Sequence, residues 1–178
     1  MIIDPKTQNI IVVATLVLGI VSGLGLATSS SYFAGSYALA INMEFDLLEV
    51  RITGLDPTNE SIDPRITLVF NIKAPPGNIG DASISYLRAT VTLNDERIIY
   101  SQTQWRKYIP EVDRHLYPNY DKNFTMGETL TVLDDKQILY DAEASDAWAF
   151  DIVLVISYRI FDASLSFRYI PFSHDGHT

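Results

Sequence analysis

The sequence predicts a mainly β fold: an antiparallel sandwich of about seven strands and one short helix, standing behind a single N-terminal transmembrane helix. Three observations carry this. Thr7 to Met43 contains no Asp, Glu, Lys or Arg. Beyond Met43, short runs of alternating apolar and polar residues follow one another, separated by Gly, Pro, Asn and Asp clusters, as antiparallel strands and their turns require. This polar-patterned part is about 135 residues long, a size at which one domain supports its own core.

The first element is Ile10 to Ala27 (IIVVATLVLGIVSGLGLA), close to the roughly 17–25 apolar residues that cross a bilayer core. The expected layout is a short cytoplasmic tail over 1–8, a transmembrane helix over 9–30 and an interfacial stalk over 31–43. Gly25-Leu26-Ala27 resembles a signal-peptidase site, but Asp4 offsets Lys6 and leaves the leading segment without the net positive charge of a signal peptide. A retained anchor is expected. Lys6 precedes the span and no basic residue follows it until Arg51, which places the N-terminus in the cytoplasm and the domain outside. Gly19 and Gly23 are four apart, a spacing that lets two membrane helices approach closely. Tyr32, Phe33 and Tyr37 suit the headgroup boundary, where aromatic rings keep one edge wet.

The strands follow in order. Phe45 to Thr53 has strand composition with imperfect alternation and stops at Gly54-Leu55-Asp56-Pro57. Arg65 to Lys73 sets Ile66, Leu68, Phe70 and Ile72 on one face and ends in Ala74-Pro75-Pro76-Gly77-Asn78, a strong breaker cluster. Ser83 to Leu93 turns at Asn94-Asp95-Glu96 into Arg97 to Gln102, a hairpin. Gly127 to Leu133 alternates cleanly. Phe150 to Phe161 is the most apolar run and the one expected to be buried on both faces; after Asp162 to Ser164 it returns as Leu165 to Ile170. Between the fifth and sixth strands, Ile138, Leu139 and Ala142 recur at helical spacing behind Asp134 and Asp135, which predicts a short helix over about 135–146 capped by one of these aspartates. The sandwich domain spans 44–173, with a C-terminal tail over 174–178.

Four segments, Asn71 to Gly77, Ile84 to Ile98, Gly127 to Leu133 and Phe150 to Phe172, together resemble the late-embryogenesis-abundant type 2 group, which includes the water-stress-and-hypersensitive-response (WHy) domain. The resemblance covers most of residues 44–172, with the group's Asn-Pro signature loosened to Asn71-Ile72-Lys73-Ala74-Pro75-Pro76 and an insertion over Trp105 to Phe124. It implies an immunoglobulin-like sandwich, often found behind an N-terminal span, and it brings no catalytic residues.

Composition narrows the function classes. The chain has no cysteine, so it has no disulfide framework, thiolate metal site or cysteine nucleophile. Its formal charge is −9, and a surface of that sign repels phosphate backbones, so no nucleic-acid partner is expected. His174-Asp175-Gly176-His177 has metal-ligand chemistry but sits in a terminal tail without rigid support. Asp141, Glu143 and Asp146 fit no calcium-loop spacing and diverge around a helix. His115 lacks a nucleophile context, and no serine lies in a nucleophile elbow. The expectation is a non-enzyme with no cofactor and no metal. Two sequons, Asn59-Glu60-Ser61 and Asn123-Phe124-Thr125, are usable only in an exported domain.

Trp105, Arg106, Tyr108, Arg114, Tyr117, Tyr120 and Phe124 gather residue types enriched in interface hot spots, in a stretch holding four of the thirteen Lys and Arg residues. This loop is the expected partner-binding surface. The functional expectation is a membrane-anchored sandwich that binds or scaffolds, an accessory subunit on the outer face of the cell membrane. Its partners are the lipid bilayer and, through the N-terminal helix, other membrane proteins or further copies of itself. The alternative is a filament subunit, because a hydrophobic N-terminal helix ahead of a β-sandwich also resembles archaeal pilins and flagellins. That reading requires a helix continuous to about residue 40.

Overall fold

The computed structural model describes residues 4–59, 61–77, 79–98, 105–161 and 165–178. Helix α1 (Pro5–Ile41) is unbroken over 37 residues, about 55 Å at 1.5 Å per residue. Pro5 stands in its first turn, where a missing N–H costs nothing and the fixed φ favours helix. The interfacial stalk expected over 31–43 is therefore helical as far as Ile41. Residues 28–41 contain no proline, and their one glycine, Gly35, lies where the helix meets the domain, so nothing unwinds it.

Strands β1 (Glu44–Thr53), β2 (Arg65–Lys73), β3 (Ala82–Leu93), β4 (Glu96–Ile98), β5 (Arg106–Tyr108), the single turn α2 (Glu111–Arg114), β6 (His115–Leu116), β7 (Asp121–Thr129), α3 (Leu133–Ser145), β8 (Ala149–Ile160) and β9 (Ser166–Asp175) follow. Two antiparallel sheets result: β1-β2-β7, and β4-β3-β8-β9 with β5 and β6 also paired along β3. The expected sandwich is borne out, with nine strands among the described residues where about seven were expected. A register shift between Leu47 and Glu49 interrupts β1. This bulge turns Leu48 out to solvent and explains the imperfect alternation of FDLLEVRIT. The β3–β4 hairpin turns on Asn94 (φ 50°) and Asp95 (φ 68°), the left-handed pair a two-residue turn demands. Of the strand expected over Arg97 to Gln102, residues 99–102 lie outside the described residues. β7 begins six residues before the expected Gly127 and ends at Thr129, because Leu133 already belongs to α3. The expected helix is present, but its N-cap is Val132 with no side-chain bond; Asp134 and Asp135 lie in the first turn, where negative charge suits the helix dipole.

The core lies between the sheets and includes Ile66, Leu68, Phe70, Ile84, Leu87, Val91, Phe150, Ile152, Leu154 and Ile156, all buried. Leu39 and Ala40 of α1 are fully buried in the same cluster, so the last turns of the long helix plug one end of the sandwich. α3 closes the other end, with Leu139 and Ala142 inward. Its Lys136, almost wholly buried, meets Asp63 of the β1–β2 connection at 2.5 Å. The C-terminal tail is bound rather than frayed: Thr178 donates its backbone N–H to Val50 and accepts from the N–H of Ile52, and the His177 ring stands edge-on to Trp148 at 4.1 Å.

Candidate functional site

Two surfaces stand out. The first is α1 itself, whose apolar run is exposed on every side, with none of it covered by the rest of the chain. It is long and apolar enough to cross a membrane. Gly19, Gly23 and Gly25 have open space around their Cα atoms, so their side of the helix is free for close approach.

The helix meets the domain through a rigid joint. A Cβ on Gly35 would collide with the Ile79 carbonyl, and one on Gly80 with the Ser36 backbone, so both positions require glycine for contact. Ser36 Oγ donates to the Tyr32 carbonyl at 2.8 Å and accepts the Asp81 N–H at 2.7 Å. Phe33 stacks on Phe161 and Tyr32 tilts against the same ring, both at 5.6 Å. At the helix C-terminus, Arg168 Nη1 lies 2.9 Å from the Ile41 carbonyl oxygen and 3.3 Å from those of Ala40 and Met43. A guanidinium there satisfies carbonyls that a helix end leaves without partners and complements the dipole. Its Cζ also sits 5.0 Å over the Phe45 ring.

The second surface is the outer face of the β4-β3-β8-β9 sheet. Cross-strand register brings Tyr108 beside Tyr86, Tyr86 beside Ser157, and Ser157 beside Phe167. The Tyr86 ring lies 6.1 Å from Tyr108 and 6.3 Å from Phe167, so Ser157 is sealed beneath this aromatic row. Arg106 lies 5.1 Å over the Tyr86 ring. One step along, Arg88, Val155 and Tyr169 are register partners. Tyr108 and Tyr169 are 65% and 66% exposed, and together the patch is aromatic and cationic on an acidic domain.

The residues expected to form a binding loop divide between core and surface. Trp105, Tyr120 and Phe124 are core residues, at most 4% exposed. Tyr120 donates its hydroxyl to the Asp113 carbonyl at 2.7 Å, and its burial, with Asp113 and Tyr117 nearby, pushes its pKa well above the usual phenol range. Arg114 clamps the connection from within by donating Nε to the Ile109 carbonyl. Tyr117 is half exposed and packs edge-on against Tyr120. Only Arg106 and Tyr108 reach the aromatic patch. The expected insertion is thus mostly regular structure: β5 and β6 pair with β3, Trp105 and Tyr120 turn inward just outside these two strands, and Phe124 turns inward on β7. Tyr86, Phe167 and Tyr169, which complete the patch, come from two other strands, β3 and β9. Only the pairing of β3 with β5 and β8, and of β8 with β9, brings them together.

The remaining candidates do not converge. His115 Nδ1 lies 3.3 Å from Asp81, both well exposed. Strand alternation sets His174 and Asp175 on opposite faces of β9. Among the described residues, no group of three or more His, Asp or Glu is placed to hold a metal.

No family model matches the chain, and no curated protein matches it significantly. Solved structures that align with the chain include a protein from Archaeoglobus fulgidus, at 11% identity over 75% of this chain and 98% of that one, with a TM-score of 0.46. The solution structure of a protein described as late embryogenesis abundant (LEA) aligns at 15% identity over 89% and 86%, with a TM-score of 0.39. A β-glucosidase from Kluyveromyces marxianus aligns at 12% identity over 76% of this chain and 15% of its own, with a TM-score of 0.32.

Proposed function

We propose that the protein is a single-pass, membrane-anchored β-sandwich, related to the LEA type 2 and WHy group, that acts without catalysis as a binding or accessory subunit. Its N-terminus faces the cytoplasm and its domain faces outward. The observation that carries this is the wholly uncovered apolar run of α1. Burying such a helix in lipid recovers about 25 cal/mol for each Å² of apolar surface removed from water, and no water-exposed role accounts for that surface. The aromatic patch around Tyr86 is the surface offered to a partner, because Tyr and Arg that need little reordering make strong anchors.

Carbonate and urea washing of membranes from cells expressing the full chain tests the anchor. The protein should stay in the pellet and leave only with detergent; release into the wash would overturn the reading. Affinity capture in mild detergent then tests the subunit role. The same membrane proteins should be recovered with the native chain and lost with the Tyr108→Ala/Tyr169→Ala variant.

The continuity of α1 to Ile41 favours a second reading, the filament subunit, whose helices would bundle with their apolar sides against one another. Long fibres shed into the supernatant and visible by electron microscopy would establish it. Discrete particles extracted by detergent would exclude it.

A further inference from the structure

The connection between β2 and β3 has no ionisable residue from Ala74 to Gly80, on a chain that is 20% charged. It is not packed into the core at its tip: Ile79 is 74% exposed. Its backbone is pinned against Gly35 of α1, and a groove of about 940 Å³ runs between loop and helix from Gly35 to Ala27. Ala27 is also where the apolar run ends. An uncharged loop carrying one bare isoleucine is therefore held alongside the membrane-side stretch of the helix, across the groove from Tyr32.

We infer that this loop is a second membrane contact. Resting on the anchored reading above, it places Ile79 in the headgroup layer and fills the groove beside α1 with interfacial lipid. Three observations select lipid as the occupant. The surface is continuous with the span, since the groove is walled by Ala27, Thr28 and Tyr32 of the same helix. The loop is neutral, so no ionised side chain has to be desolvated when it enters the headgroup layer, on a domain whose net charge is −9. Pro75 and Pro76 fix φ at two positions of the approach and the Ile79 backbone lies against Gly35, so these residues need little further ordering on insertion.

Because the chain has no cysteine, single-cysteine variants label at one place. Ile79→Cys, Val17→Cys within the span and Glu143→Cys on α3 at the far end would each carry a polarity-sensitive fluorophore in the full-length protein. They would be reconstituted in phosphatidylcholine vesicles carrying nitroxide either near the headgroup or deep in the acyl chain. The Ile79 probe should be blue-shifted and quenched by the shallow nitroxide, the Val17 probe quenched by the deep one, and the Glu143 probe by neither. A quenched Val17 probe beside an Ile79 probe as water-like as Glu143 would overturn the loop contact and leave the anchor standing. If neither Val17 nor Ile79 responds, the membrane reading itself fails. Concentration-dependent self-quenching at both sites without nitroxide quenching would assign the groove to a neighbouring copy's helix and overturn the inference.

Discussion

Arg168 shows how much one side chain does at the joint between helix and sandwich. It comes from β9, more than a hundred residues away in sequence, and addresses the carbonyls of Ala40, Ile41 and Met43 together. Arg168→Ala should destabilise the domain by about 1.5–3 kcal/mol, the usual worth of hydrogen bonds from a charged donor, read from the midpoint of urea unfolding. Arg168→Lys should recover only part, since one ammonium cannot also lie flat over Phe45. At the opposite edge, Glu49 accepts hydrogen bonds from the Thr178 hydroxyl at 2.9 Å and from Arg51 at 2.8 Å. These partners, Thr178 first, hold its carboxyl below the usual carboxylate range. A lowered folded value means the contact contributes above the unfolded pKa and is lost as pH falls through the folded one. The Thr178 amide resonance should accordingly shift only on acidification below about pH 4.5, and Glu49→Gln should abolish that shift. Neither Arg168 nor Thr178 has a local sequence signature, because both act on partners that only the fold supplies. The misplacement of Trp105, Tyr120 and Phe124 has the same origin. Aromatic residues interleaved with Arg and Lys read alike whether the fold turns them in or out. Trp105 and Tyr120 lie beside strands of three and two residues, too short for alternation to show, and Phe124 takes its face from the pairing of β7 with β2.

Among the elements, the strands with four or more alternating positions were legible within a residue or two: β2, β3 and β8 stand almost where the sequence predicts. What defeats the reading is local irregularity, such as the bulge at Leu48, and pairing, which fixes β7 by its register with β2 rather than by its own composition. β8 sends Phe150, Ile152, Leu154 and Ile156 into the core, with Leu154 fully buried between the sheets. Asp151 and Val153 on its other face are exposed, so it is not buried on both faces along its length as expected. Leu154→Ala should cost about 2–5 kcal/mol, measured by thermal unfolding followed by circular dichroism. The glycines of α1 separate two roles on one helix. Gly35→Val forces the helix off the β2–β3 connection and should cost about 1–3 kcal/mol, as overpacking does. Gly23→Val meets nothing within 4 Å and should leave domain stability unchanged, while lowering cross-linking between copies wherever the helices pair.

For the whole molecule, the division into apolar helix and β-domain is visible in the distribution of charge alone, and the boundary between them is not. The span ends near Ala27 by composition, yet the domain begins earlier than its first strand, since Leu39 and Ala40 belong to its core. A chain starting at Ser31, which keeps the Tyr32 and Phe33 contacts with Phe161, should be soluble and unfold at the same midpoint as the full protein in detergent. One starting at Glu44 should lose roughly 2–5 kcal/mol, as for other large core deletions, and expose apolar surface to a hydrophobic dye. The uninterrupted passage of α1 into the core has a mechanical corollary. With no swivel between rod and head, any lean of the rod becomes a lean of the head. A tilt of about 20°, ordinary for a single span, would sweep the far tip of strands roughly 40 Å long sideways by roughly 14 Å. On the anchored reading, bilayer thickness would thereby bear on how far the aromatic face leans from its upright position.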